Sequence, residues 1–213
     1  EEYVTNYFGF DKVLPMNTGA EAVETALKLC RKWAYEVKGI PENQAQIIVC
    51  ENNFHGRTTT IISFSNDETA RKSFGPFTSG FIKIPYDDIE ALENALKSTP
   101  NIAGFLVEPI QGEAGVYVPA DGYLAKAKAL CEQHNALFIA DEVQPGFGRT
   151  GEAMWGFERH GVSPDMVTMG KPMGNGYPMA GLVLQPGLLA EFGTRSRYFN
   201  TFGGNAVAAA VGL

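Results

Sequence analysis

The chain has 213 residues, 45% hydrophobic and 19% charged, an ordinary balance for a globular protein able to bury one sizeable core. A net charge of −7 and a pI near 5.0 argue against a nucleic-acid-binding surface. No apolar run approaches the roughly 20 residues of a membrane span and no signal-peptide pattern opens the chain, so one large domain over residues 1–213, off the membrane, is expected.

In chain order, residues 1–8 read as a helix already under way, with no capping residue before it. The apolar run 13–16 leads into Asn17-Thr18-Gly19-Ala20-Glu21-Ala22 and then a helix whose Val23, Ala26, Leu27, Cys30, Ala34 and Val37 share one face, with Gly39 as its stop. Thr18, Gly19 and Ala20 thus stand at a helix N-terminus after a strand, where free N–H groups attract an anion. The plainer alternative is that Asn17 or Thr18 only caps the helix. A buried-type strand at 47–50 runs into Asn53-Phe54-His55-Gly56-Arg57, which offers a stacking ring and a carboxylate-binding guanidinium, or a hydrophobic plug with a surface arginine.

A strand near 81–86 precedes a helix capped by Asp87 or Asp88, with Leu92, Ala95 and Leu96 inward. The strand 103–107 ends in Glu108 and, among glycines, Glu113. A helix from Tyr123 to Gln133 is followed by the apolar strand from Leu137, which delivers Asp141, Glu142, Val143 and Gln144 at its exit. Residues 155–160 predict a short helix. The strand 166–169 ends in Gly170-Lys171-Pro172, and a last strand, 180–184, follows too soon for a helical crossover and is expected to run antiparallel. Asn205 caps a terminal helix of about two turns, too short to stand without packing, and both abrupt ends predict a piece of a longer protein. Cys30, Cys50 and Cys131 lack a C-x-x-C pattern and lie in apolar segments, as reduced structural thiols do.

Strands alternating with helices predict an α/β fold with a mostly parallel sheet, and ligands in such folds gather at the carboxyl ends of strands. Thr18, Phe54, Glu108, Asp141 and Lys171 all fall there. An acid at one strand end and a lysine at a neighbouring one is what a pyridoxal phosphate site requires: an amine for the aldehyde and a carboxylate that keeps the ring nitrogen protonated. Asp141 suits that role better than Glu142, which strand alternation sends to the other side. A P-loop is excluded because Pro172 follows Lys171 and Asp165 stands where a glycine is needed. No ligand spacing supports a zinc site from His55, His134, His160 and the cysteines, and no G-x-S-x-G supports a hydrolase.

Together, Asn17-Thr18-Gly19-Ala20-Glu21-Ala22, Asn53-Phe54-His55-Gly56-Arg57, Glu108-Pro109-Ile110-Gln111-Gly112-Glu113-Ala114-Gly115, Asp141-Glu142-Val143-Gln144 and Gly170-Lys171-Pro172 resemble class III pyridoxal-phosphate-dependent aminotransferases over nearly the whole chain. The resemblance implies the large domain of fold type I: a mostly parallel seven-stranded sheet between helices, with one antiparallel strand. Up to Gln144 the chain is most similar to the ornithine-using members. Residues 145–151 and 198–205 look more like other members, phospholyase-type relatives included, which implies a mosaic.

By the same resemblance Lys171 is the Schiff-base lysine, Asp141 the partner of the ring nitrogen and Gln144 the contact to the ring hydroxyl. Phe54 stacks on the ring, and Gly19 and Ala20 take the phosphate; the residues' own placement adds Thr18 as a phosphate donor and Val143 as a candidate for the opposite face of the ring. Arg57 grips a substrate carboxylate, with Glu108 and Glu113 on the substrate side. Glu113 matches an acid that pairs with an arginine of a C-terminal domain, and it is counted with Lys171 and Asp141 among the catalytic residues. Thr201 matches a threonine that reaches the phosphate of a partner subunit, implying a homodimer. The implied reaction is ping-pong transfer of the terminal amine of ornithine or a similar ω-amine to 2-oxoglutarate. The implied compartment is the cytoplasm, or the mitochondrial matrix if a targeting segment has been removed. The family's N-terminal aromatics and its C-terminal switch arginine have no counterpart in this sequence, so weak or no turnover is expected of this chain alone. The competing expectations are a phospholyase or other amine transaminase, and an inert fragment or engineered scaffold.

Overall fold

The apolar runs form seven strands: β1 (Lys12–Met16), β2 (Gln46–Cys50), β3 (Phe81–Ile84), β4 (Ile102–Val107), β5 (Leu137–Asp141), β6 (Met166–Met169) and β7 (Ala180–Leu184). The computed structural model describes residues 1–213 apart from the side chains of residues 189 and 191. One sheet holds all seven strands, in the order β1-β7-β6-β5-β4-β2-β3. β7 runs antiparallel to both β1 and β6, and every other neighbouring pair is parallel. The short link at 170–179 leaves no room for a helical crossover, so the chain turns back on itself there, as expected.

The helices are α1 (Glu2–Phe8), α2 (Gly19–Trp33), α3 (Thr59–Ile62), α4 (Glu68–Arg71), α5 (Ile89–Ser98), α6 (Tyr123–Gln133), α7 (Leu188–Arg195) and α8 (Ala206–Gly212). They cover the two faces of the sheet, and strand residues alternate between two apolar layers. Ile47, Val49, Leu106, Leu137, Ile139, Leu182 and Leu184 pack with Val23, Ala26, Leu27 and Cys30 of α2. Ile48, Cys50, Phe105, Val107, Phe138, Ala140 and Val183 pack with Leu92 and Leu96 of α5 and Leu124 and Ala127 of α6. Each large side chain buried in this way contributes roughly 1.5–3 kcal/mol. Burial on both faces is the reason these strands read as continuous apolar runs.

Two local features depart from the sequence expectation. Val37 was expected on the buried face of α2, yet it is 54% exposed. The helix passes into a π-turn over Ala34–Lys38 before Gly39 ends it in the left-handed conformation, and the extra residue in that turn rotates Val37 outward. The short helix expected at 155–160 does form, as a 3₁₀ turn over Gly156–His160. α7 was not anticipated: it starts at Gly187 without a side-chain cap, so the usual start signal is missing.

The parallel register fixes the site. Val107 stands beside Ala140 and Asp141 beside Thr168, so Glu108, Asp141 and the residues after Met169 leave the sheet at the same edge. The N-terminus of α2 meets them from one face.

Candidate active site

The start of α2 is built by a capping box. Thr18 Oγ1 accepts the Glu21 N–H at 3.2 Å, and the Glu21 carboxylate in return accepts the N–H groups of Thr18 at 2.9 Å and Asn17 at 2.8 Å. These bonds, against a partial burial that opposes them, leave the Glu21 carboxyl below its ordinary range. The next two N–H groups, of Gly19 and Ala20, have no acceptor among the described residues. They are the donors that a helix start offers to an anion. A Cβ at Gly19 would lie 2.7 Å and 2.9 Å from the two methyls of Val143, so glycine lets the β5 exit close over the helix start. Gly19→Ala is expected to lower stability by about 1–3 kcal/mol through overpacking and to weaken phosphate affinity at the same time. Urea unfolding and phosphate-ester binding on one preparation check both.

Asp141 continues the Leu137, Ile139 series and so falls on the α2 side of the sheet. Its Oδ2 lies 2.5 Å from His55 Nδ1, and its Oδ1 accepts the Thr168 hydroxyl at 2.9 Å and the Val143 N–H at 3.1 Å. Both side chains of the His55–Asp141 pair are almost wholly buried. Burial pulls the His55 imidazole down, but the hydrogen bond and charge of Asp141 more than offset it, and the ring titrates above its ordinary value. Its Nε2 has no partner among the described residues.

Glu142 points to the opposite face, as alternation predicts, and its two oxygens accept the N–H groups of Gly156 and Phe157 at 3.0 Å and 2.9 Å. Burial raises its carboxyl to about 7 despite those donors. It therefore fastens the 3₁₀ turn and takes no part in the cavity. Glu108, one strand over from Asp141, is also buried, and its Oε1 accepts the Phe54 N–H at 2.9 Å.

A cavity of about 110 Å³ opens between these groups, lined by Gly19, Ala20, Phe54, Glu108, Asp141, Val143, Gln144 and Lys171, with His55 and Gly56 behind. Lys171 Nζ sits 5.8 Å from the centre of the Phe54 ring. The residue holds φ +39°, a left-handed conformation uncommon for a side-chain-bearing residue and typical of strained functional positions. Gln144 Nε2 is buried without an acceptor among the described residues.

The other expected site residues lie elsewhere. Thr18 stays outside the cavity, its hydroxyl and N–H bound up with Glu21, so the capping alternative describes it. Arg57 and Glu113 line a neighbouring recess of about 360 Å³ with Phe54. Both are exposed, and Arg57 makes no ion pair among the described residues. Glu113 lies outside the lining of the cavity that brings Lys171 and Asp141 together. Thr201 is exposed on a turn fastened to the link between β1 and α2 through Asn200, whose Oδ1 accepts from Asn17 Nδ2 at 3.0 Å. His55 is the functional side chain that the sequence left without a role. Its signal was a histidine at a strand exit level with Asp141, but a lone imidazole there is more often a satisfied core residue.

These donors fit pyridoxal phosphate. Two free N–H groups suit a phosphate, an orphaned amide donor suits a ring oxygen, a buried carboxylate suits a ring nitrogen and a primary amine suits an aldehyde. Comparison with known proteins agrees. The model for the family described as aminotransferase class-III matches residues 1–213. The ornithine aminotransferase of Plasmodium falciparum is 53% identical over 99% of this chain and 50% of its own length. The crystal structure of the ornithine aminotransferase from Toxoplasma gondii has a TM-score of 0.95 at 47% identity, covering 99% of this chain and 50% of that one. The acetylornithine aminotransferase structure from Elizabethkingia anophelis has a TM-score of 0.85 at 56% identity, covering 100% and 51%. All three alignments run across Gln144. The chain spans about half the length of the curated relatives it matches.

Proposed function

This chain belongs to the class III aminotransferases, and from that premise we propose that its cavity holds pyridoxal phosphate and serves transfer of the terminal amine of ornithine or a similar ω-amine to 2-oxoglutarate. The observation that carries the reading is the meeting of Lys171, Asp141, Gln144 and the free N–H groups of Gly19 and Ala20 around one cavity. When bound, the cofactor supplies an electron sink for the carbon that loses its proton.

The protein's own groups divide the work. Gly19 and Ala20 bind the phosphate, and Phe54 and Val143 enclose the ring. Asp141, fixed by His55, Thr168 and the Val143 N–H, keeps a proton on the ring nitrogen. Gln144 donates to the ring oxygen. Lys171 supplies the anchoring amine and then moves the proton to and from the substrate carbon, in the two halves of a ping-pong cycle. The unpaired Arg57 receives the substrate carboxylate, with Glu113 as its neighbour in the recess. The exposed Phe199 and Phe202 on either side of Thr201 support a homodimer in which Thr201 faces the partner's cofactor. Three buried free thiols support a reducing compartment, cytoplasm or mitochondrial matrix.

An absorbance titration tests the reading. Adding pyridoxal phosphate is expected to give a yellow protein whose visible band bleaches with ornithine and returns with 2-oxoglutarate. A protein that ignores pyridoxal phosphate would sink the proposal. A band that responds to other amines but not to ornithine would remove the substrate alone.

A further inference from the structure

Glu108 has only half of its carboxyl committed. Oε1 holds the Phe54 N–H, while Oε2 has no partner among the described residues and the side chain borders the cavity. The residue is 3% exposed, so water solvates it poorly. Once a ligand fills the cavity and displaces water from it, an ionised oxygen there without a donor is costly. A proton there removes the cost and turns the group into a donor aimed at whatever fills the cavity.

We propose that Glu108 is a positioning residue that carries a proton on Oε2 and donates it in a hydrogen bond to an acceptor atom of the bound cofactor ring, while Oε1 keeps Phe54 in its stacking place. This rests on the cofactor reading above and goes beyond it by giving Glu108 a protonation state and a contact.

The surroundings favour the neutral form. Burial pushes the Glu108 carboxyl up, to about 7; His55 and Lys171 pull it down and Asp141 pushes it up. His55 and Lys171 follow the ends of β2 and β6, and Asp141 ends β5. Cys50 of β2 and Tyr86, after β3, complete the ring of titratable neighbours, and the Tyr86 hydroxyl donates to the Glu108 backbone oxygen at 3.0 Å. With a raised folded value, the proton is held on the acid side and lost as pH rises through about 7.

The test compares wild-type protein with Glu108→Gln, which keeps a neutral donor at every pH. The ligand is 4′-deoxypyridoxine 5′-phosphate, which lacks the aldehyde and so takes Lys171 chemistry out of the measurement. At about pH 6 the two dissociation constants are expected to agree within roughly twofold. At about pH 8.5 the wild type is expected to bind roughly tenfold more weakly than the variant, the order of one hydrogen bond to an ionisable group. The ligand's own ionisations cancel in the ratio. A ratio that does not change with pH, or loss of binding by Glu108→Gln at about pH 6, overturns the proposal. No binding by the wild type at either pH overturns it together with the cofactor reading. Should the variant not fold, infrared difference spectra of Glu142→Gln, which removes the other buried carboxyl raised to about 7, decide: the stretch of a neutral buried carboxylic acid should be present at about pH 6 and gone at about pH 8.5, and its absence at both refutes the proposal.

Discussion

Lys171→Ala is expected to abolish the visible band and to lower any amine-transfer rate by at least about a thousandfold, since one side chain supplies both the anchoring amine and the proton shuttle. The backbone explains why no other lysine can stand in. β6 ends at Met169, and a Cβ on Gly170 would lie 3.3 Å from the Gly19 backbone, so the strand exit is pressed against the start of α2. The chain then turns through φ +39° at Lys171, and Nζ comes to rest over Phe54. Alanine accepts that left-handed turn about as poorly as lysine does, and the Lys171 side chain makes no hydrogen bond or ion pair among the described residues. The variant should therefore melt within a few degrees of the wild type, a shift of well under about 1 kcal/mol. A band that survives in a folded variant would exclude Lys171 as the amine.

The sequence carried the site unevenly, for reasons that particular residues make plain. The choice of Asp141 over Glu142 was legible because strand side chains alternate strictly, and both residues obey that rule. What Glu142 does instead was not legible: its partners are the N–H groups of Gly156 and Phe157, on a turn whose docking depends on tertiary packing. Thr18 and Glu21 have capping-box spacing, and the hydroxyl and N–H of Thr18 both engage Glu21, as that local signal indicates. The need for glycine at position 19 arises from Val143, more than a hundred residues away, and no local pattern announces it. Val37 shows the limit from the other side, since a 3.6-residue period cannot foresee a π-turn. The fold itself was readable because seven apolar runs and the short link before β7 are local features. Arg57, Glu113 and Thr201 are exposed, and packing within this chain's own core does not say what they meet.

His55 and Asp141 carry the second large effect. Asp141→Ala would strip three donors at once: the His55 ring, the Thr168 hydroxyl and the Val143 N–H. His55 Nε2 already lacks a partner among the described residues, so the imidazole would be buried with neither nitrogen satisfied. Breaking a buried pair in this way is expected to cost about 3–5 kcal/mol. That is a large part of a typical stability of roughly 5–15 kcal/mol. Asp141→Asn should cost less, because the amide still accepts from Thr168 and Val143 and its NH₂ can donate to a neutral His55. It cannot, however, hold a charged imidazole. The folded His55 value is raised above the unfolded one, so the stability this pair contributes is fully present below about pH 6.5 and fades as pH rises through the folded value. The gap between wild type and Asp141→Asn in urea unfolding should therefore be wider at about pH 6 than at about pH 9. A gap that stays constant with pH would mean that His55 is neutral in the folded protein and that Asp141 is positioned by Thr168 and Val143 alone. In that case Asp141→Asn should still fail to protonate a ring nitrogen, so cofactor chemistry would be lost even where stability is not.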